Sequence, residues 1–436
     1  MSLPRYPAYK DSGVAWLGKV PGHWGVKRLK HNLKLLTEKT VRREHPVALE
    51  NIESWSGRFV ETETEFEGEG VAFEEGDILF GKLRPYLAKA YLADTAGEAV
   101  GDFHVMRPSK NIEGRFAQYQ ILNREFIAIV DGSTFGAKMP RASWDFLCNM
   151  ALATPPKPEQ AAIAAFLDRE TEKIDALVAE QEKLIQLLRE KRQAVISHAV
   201  TKGLNPAAPM KHTGIEWLGE MPKHWEVVPL KQVISQIESG VSVNASDQAA
   251  SETEFGVLKT SCVYSGQFDA NENKTVIEAE IDRVACPLKV GTLIVSRMNT
   301  PDLVGAAGLV KFAPQNIYLP DRLWQVSFSN AAPVFVHYWT QSVFYRAQIR
   351  VVCAGTSSSM QNLGQDQFRS FNFPNPPQSE QETIAAILDR ETAKLDALTA
   401  EAQRGIALLK ERRSALISAA VTGKIDVRAT QLLEAA

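Results

Sequence analysis

Pro155-Pro156-Lys157-Pro158-Glu159-Gln160-Ala161-Ala162-Ile163-Ala164-Ala165-Phe166-Leu167-Asp168-Arg169-Glu170-Thr171 is written a second time in the same chain. It returns as Pro376-Pro377-Gln378-Ser379-Glu380-Gln381-Glu382-Thr383-Ile384-Ala385-Ala386-Ile387-Leu388-Asp389-Arg390-Glu391-Thr392. Identities run on to Val200-Thr201 and Val421-Thr422. Roughly 60% of about 47 positions match, so one supersecondary unit has been used twice. The Pro-Pro pairs disfavour helix upstream, and residues 159–201 and 380–422 read as long helices. Apolar residues fall on alternating steps of four and three. They are Ile163, Leu167, Ile174, Leu177, Leu184, Leu188 and Val195, then Ile384, Leu388, Leu395, Leu398, Leu409 and Leu416. That is a coiled-coil seam, interrupted at Glu170, Gln181 and Lys191 and at Glu391, Ala402, Gly405 and Arg412. About 40 residues at about 1.5 Å each predict a rod of roughly 60 Å. The two helices are expected to pair with each other, antiparallel, inside one chain.

A second repeat lies upstream. Gly13-Val14-Ala15-Trp16-Leu17-Gly18-Lys19-Val20-Pro21-Gly22-His23-Trp24 returns as Gly214-Ile215-Glu216-Trp217-Leu218-Gly219-Glu220-Met221-Pro222-Lys223-His224-Trp225. The copies are offset by 201 residues here and by 221 at the Pro-Pro blocks, so the stretch between is 20 residues longer in the second copy. These stretches, roughly 30–154 and 231–375, share only two faint echoes. One sets Glu75-Gly76-Asp77-Ile78-Leu79-Phe80-Gly81-Lys82-Leu83-Arg84 beside Val290-Gly291-Thr292-Leu293-Ile294-Val295-Ser296-Arg297-Met298-Asn299. The other sets Gly132-Ser133-Thr134 with Met139 beside Gly355-Thr356-Ser357 with Met360. A constant frame alternates with a variable insert, as in a scaffold that presents two different surfaces. Gly76–Phe80 and Gly291–Val295 read as strands, and Phe116–Val130 and Ala332–Val351 as amphipathic helices. The expected class is α+β: two α/β domains, 1–154 and 208–375, alternating with repeated helices at 155–207 and 376–436.

Bulk properties narrow the function. The chain has 436 residues, 44% of them hydrophobic and 23% charged, and no apolar run near the roughly 18 residues of a membrane helix. With no signal-like segment at Met1–Gly13, a cytoplasmic protein is expected. Net charge is −3, unlike a general coat for nucleic acid. It is unevenly spread: Lys27, Arg28, Lys30, Lys34, Lys39, Arg42, Arg43 and Arg58 precede an acidic run from Glu61 to Asp77. Cys148, Cys262, Cys286 and Cys353 have no metal-site spacing and read as reduced, mostly buried thiols.

Apparent catalytic motifs fail on context. Phe66-Glu67-Gly68-Glu69-Gly70 has the form of a cofactor-cradling loop, but Glu61-Thr62-Glu63-Thr64-Glu65 precedes it instead of a buried apolar strand. It reads as a turn in a charged hairpin. Asn375-Pro376-Pro377-Gln378 lacks the aromatic that would stack on a flipped base, and its counterpart is Thr154-Pro155-Pro156-Lys157. Both read as helix-breaking linkers. The repeated His-Trp corners, His23-Trp24 and His224-Trp225, read as packing.

Taken together, the Trp-Leu-Gly…Pro-x-His-Trp blocks, the Gly76-Asp77-Ile78-Leu79 turn and strand, and the Pro-Pro…Glu-Gln helix openings resemble the specificity subunits of type I restriction–modification systems, over nearly the whole chain. The resemblance implies that the variable segments are target-recognition domains, each reading one half of a split site in double-stranded DNA, with the helices as spacer. It implies two modification subunits as partners, carrying S-adenosylmethionine and the methyl transfer. Restriction subunits with ATP and magnesium can join them. It implies no catalytic, cofactor or metal residue in this chain and no association with membrane. Side chains fit for reading bases, Arg or Lys toward guanine and Asn or Gln toward adenine, stand at the echoes: Lys82, Arg84, Lys138 and Arg141 in the first segment, Arg297, Asn299, Gln361 and Asn362 in the second. The rival readings are a coiled-coil scaffold without DNA readout and an orphan specificity subunit.

Overall fold

The computed structural model describes residues 4–40, 45–63, 69–134, 138–353 and 360–428. Two compact units emerge: Met1–Glu182 together with Gln403–Ala436, and Lys183–Ala402. The long helices span Lys157–Lys202 and Gln378–Val421, and each unit contains part of both. Within the first unit they run antiparallel, with Asp175 paired to Arg413 at 3.0 Å and Glu182 to Lys410 at 4.0 Å. Within the second, Arg192 meets Asp396 at 3.0 Å, and a Cβ on Gly203 would lie 3.5 Å from Glu380 Oε1. The polar pairs are themselves a repeat: Arg192 corresponds to Arg413 and Asp396 to Asp175.

The buried line of each helix differs from the seam read in the sequence. Leu177, Leu184 and Leu398 are exposed, while Ile174, Ile185, Leu188, Leu395 and Ala402 are buried. Thr171 and Thr392 point inward where Glu170 and Glu391 were expected to interrupt. The steps of four and three survive, but much of the line is shifted one residue along. Neighbouring apolar residues such as Leu184-Ile185 and Gly405-Ile406 left two phases open, and one residue turns a helix by about 100°. Gly405 is therefore no point of close approach: a Cβ there would meet nothing within 4 Å.

The two variable segments, so unlike in sequence, share one fold. Each has a four-stranded antiparallel sheet in the same order: Leu33–Leu36, Phe103–Pro108, Ile78–Gly81, Ala90–Leu92 in the first unit, and Ile234–Ser239, Leu323–Phe328, Leu293–Ser296, Ala307–Leu309 in the second. Ile78–Gly81 and Leu293–Ser296 are buried at every position, which explains their unbroken apolar sequence. Gly76 (φ +86°) and Gly291 (φ +80°) make the turn into them with open space around the missing Cβ, so the backbone conformation is what requires glycine. A smaller sheet stands beside each: Lys39–Thr40, Gly70–Phe73, Gly97–Val100 and Pro46–Val47, against Asn273–Thr275, Gly256–Leu258 and Ile317–Tyr318. Gly70 opens a strand, not a helix, so a cofactor loop has no support there; Phe66–Gly68 lie outside the described residues.

Both predicted amphipathic helices are broken in two. Gly114–Ile121 and Arg124–Gly132 are separated at Asn123, whose side chain accepts from Glu125 N (2.8 Å) and Phe126 N (3.4 Å) and so caps a new helix. Pro333–Thr340 and Val343–Cys353 are separated at Gln341-Ser342, where Ser342 Oγ accepts from Tyr345 N at 3.3 Å.

Constant polar residues of the long helices clasp these helix pairs. Gln160 Oε1 accepts from Glu113 N at 2.8 Å, and Gln381 Oε1 from Ala332 N at 2.9 Å, each just before the first short helix. Tyr119 donates to Asp168 at 2.7 Å and Tyr338 to Asp389 at 2.6 Å, with Thr171 and Thr392 at 3.2 and 3.3 Å from the same hydroxyls. Burial raises both phenols, that of Tyr119 to about 12. The opposite long helix closes each clasp: Ser418 Oγ donates to Glu125 at 2.9 Å, and Ser197 Oγ accepts from Val343 N at 3.2 Å.

The upstream blocks dock in the same way. Trp24 and Trp225 are fully buried. Trp24 shares a core with Phe80, Phe116, Ile163, Ile417 and Val421, and Trp225 with Trp339, Phe373, Ile196, Val200 and Ile384. His23 and His224 each lie 2.8 Å from a helix carboxylate, Glu159 and Glu380. The repeated histidines are structural partners of the repeated Glu-Gln pair, as the packing reading expected. Among the described residues no helix is long and apolar enough to cross a membrane. Cys262 and Cys353 are buried, and Cys148 and Cys286 partly so.

Candidate nucleic-acid interface

In both units the chain that leaves the first echo's strand pairs with the residues just after the second echo's methionine, Met139 or Met360. In the first, the chain leaves strand Ile78–Gly81 into Lys82-Leu83-Arg84, and Leu83 bridges antiparallel to Arg141. Arg84 N donates to Pro140 O at 2.9 Å and Ala142 N to Lys82 O at 2.8 Å. In the second, the chain leaves Leu293–Ser296 into Met298–Asn299, which pairs antiparallel with Gln361–Asn362. Leu363 N donates to Arg297 O at 2.8 Å. On the other side, Lys82 N donates to Asp102 O at 2.8 Å and Arg297 N to Arg322 O at 3.0 Å.

This shared ladder puts the two tips in correspondence residue by residue. Lys82 stands where Arg297 stands, Arg84 where Asn299 stands, Arg141 where Asn362 stands, and Asp102 where Arg322 stands. Backbone hydrogen bonds hold the frame, so side chains can vary without moving it. Seven of the eight residues picked from the sequence lie on these two tips, and the exposed Lys138 precedes Pro140 by two residues. Asp102 and Arg322 were missed, because each merely precedes a strand and carries no motif. Gly355–Ser357 of the second echo lie outside the described residues.

The side chains differ in how free they are. Arg84 is exposed, in the left-handed region (φ +52°), and starts the short 3-10 turn Pro85–Leu87. Tyr86, next to it, is exposed too, as are Lys138 and Met139. Arg141 donates from Nε to both oxygens of Asp102 at 3.1 Å and from Nη2 to Oδ2 at 2.9 Å. Lys82 Nζ lies 3.7 Å from the same carboxylate. The Arg141 hydrogen bonds hold Asp102 below the usual carboxylate range. Behind them His104 is buried, with Nε2 2.9 Å from Ala142 O, and burial lowers its pKa.

In the second tip Asn299 is buried, and its amide is committed internally. Nδ2 donates to Tyr264 Oη at 2.9 Å and to Ser296 Oγ at 3.2 Å, and Oδ1 accepts from Thr300 N at 2.9 Å. Asn299 therefore positions the half-exposed ring of Tyr264 and has no amide edge left for a base. Asn362 and Arg322 are exposed, Gln361 is partly so, and Arg297 has a buried Nε without a hydrogen-bond partner. Among the described residues no group of three or more His, Cys, Asp or Glu could hold a metal ion.

Residues 222–406 match the family model described as the type I restriction modification DNA specificity domain. The type I restriction enzyme EcoKI specificity subunit of Escherichia coli is 24% identical over 333 residues, 74% of this chain and 68% of that one. The MjaVIII specificity subunit of Methanocaldococcus jannaschii is 22% identical over 427 residues, 94% of this chain and 95% of its own. A chain from a structure describing complex assembly and conformational transition of the type I R-M system superposes with a TM-score of 0.70 at 16% identity, covering 92% of this chain and 98% of the other. The HsdS subunit of Thermoanaerobacter tengcongensis gives 0.50 at 18% identity, over 93% and 98%. With the family domain matched over residues 222–406, and the frame of that half repeated in the first, the chain is similar over most of its length to the specificity subunits of type I restriction–modification systems.

Proposed function

We propose that each unit reads one half of a bipartite DNA site through its paired tip, and that the long helices fix the number of base pairs between the halves. One observation carries this reading: the same hydrogen-bonded backbone tip occurs in both units with different side chains at every outward position. Divergence on an invariant frame is what two independent readers of different half-sites require. Phosphate contacts would position each domain and tip side chains would specify. Arg84, Arg141, Lys82 and Lys138 would serve the first half-site, and Arg297, Gln361 and Asn362 the second, with Asn299 supporting Tyr264. Methyl transfer would belong to two modification subunits that bind S-adenosylmethionine, and cleavage to restriction subunits that use ATP and magnesium. The chain itself would perform no catalysis.

The test is methylation mapping in a host that expresses the chain with its modification subunits. A split motif that appears only with this chain is expected. Exchanging residues 231–375 for the matching segment of another specificity subunit should then change one half of the motif only. Changes in both halves would contradict independent readers, and no new motif with the intact chain would contradict the reading as a whole.

A further inference from the structure

Asp102 poses a problem for a DNA-facing tip, since a carboxylate repels phosphate. It is not there for stability. An exposed ion pair of this kind adds little to stability, and the Leu83–Arg141 bridge with the Arg84–Pro140 hydrogen bond already ties the two strands together. What the carboxylate does is hold one edge of a guanidinium. It takes Nε and Nη2 of Arg141 at 2.9–3.1 Å, and Nη1 is left without a partner among the described residues. Arginine has five N–H donors in a planar fork. Once the side edge is occupied, the outward N–H groups of Nη1 and Nη2 form a parallel pair at the tip of the side chain. That pair matches the O6 and N7 acceptors that guanine presents in the major groove. Fixing the fork before binding also removes the rotamer entropy that a free arginine loses on contact. The second tip has no such device: Asn362 replaces Arg141, and Arg322 replaces Asp102.

Resting on the reading of the tips as half-site readers, we propose that Arg141, buttressed by Asp102, reads a guanine in the half-site of the first unit, and that Asp102 is the residue that makes this contact selective.

The experiment maps the methylated motif of the assembled complex for the intact chain, Asp102→Asn and Arg141→Lys. One position of one half-site should be guanine with the intact chain. Both variants should relax that position, with preference over the other bases falling by about tenfold or more, while the other half of the motif stays as it was. The unchanged half reports that the variant chains are folded and assembled. Identical motifs for all three chains would overturn the inference. Loss of both halves in both variants would also overturn it, by showing the pair to be structural. If the intact chain confers no motif at all, the half-site reading itself has failed; a motif that both variants leave untouched fails the guanine contact alone.

Discussion

On the Pro333–Thr340 helix, His337 is 3% exposed, with Nε2 2.9 Å from Gln341 and Nδ1 without a hydrogen-bond partner. Burial, then the nearby charges of Lys311 and Arg192, push its pKa down to about 4. The unfolded chain takes up a proton near pH 6.5 that the folded unit refuses until about pH 4. Stability is therefore full above about pH 6.5 and declines as pH falls toward 4, by at most about 3 kcal/mol from this residue. His337→Leu should flatten that decline. Urea midpoints of the second unit at pH 7 and pH 5 would differ less in the variant than in the native chain; an equal difference would place the acid sensitivity elsewhere. At this scale the sequence was only partly informative. It pointed to the stretches that form the two tips because glycine turns and apolar strands have local signatures. It could not show that Asn299 turns inward to Tyr264, or that Asp102 faces Arg141 across the tip, because those contacts depend on strand register and not on spacing along the chain.

Among elements, the long helices were legible nearly to their ends, since the Pro-Pro pairs and the steps of four and three are local. Their inward face was not. Leu184 and Ile185 are equally apolar, and only packing decides which is buried; Ile185 is, at 8% exposed against 42% for Leu184. Similarly, Asn123 read as one more residue of a helix until its capping role was visible, since Asn serves in helices and at caps alike. The proposed spacer role belongs to this scale. Deleting 179–185 and 400–406, one heptad from matching places in the two helices, removes about 10 Å of helix, or about three base pairs of duplex at roughly 3.4 Å each. Methylation mapping should return the same two half-sites with a shorter gap. An unchanged gap would contradict the spacer.

For the molecule as a whole, the units are not cut from the chain in the same way. The second, Lys183–Ala402, is one continuous stretch, whereas the first needs two. Ile417, Ala420 and Val421 lie in the same core as Trp24, from the far end of the sequence. Ile417→Ala should therefore cost the first unit about 2–5 kcal/mol and the second unit none. Hydrogen exchange would show faster opening around Trp24 with amides around Trp225 unchanged; equal loosening of both would mean that they unfold together. That the two variable segments share one sheet order was hidden in the sequence, because many apolar patterns satisfy the same alternation while turns and loops differ freely.

The clasps between helix and domain carry one more consequence. Across that joint the long helices contribute Gln, Asp, Thr and Ser side chains beside apolar ones such as Ile163 and Ile384, and an insert answers with a backbone N–H before its first helix, one tyrosine on it and an apolar face. Such a socket is nearly blind to what is plugged into it. A foreign cassette spliced in ahead of a Pro-Pro pair would arrive with its side of the joint already made. New target preferences could then be inherited whole, by recombination, instead of being assembled one substitution at a time.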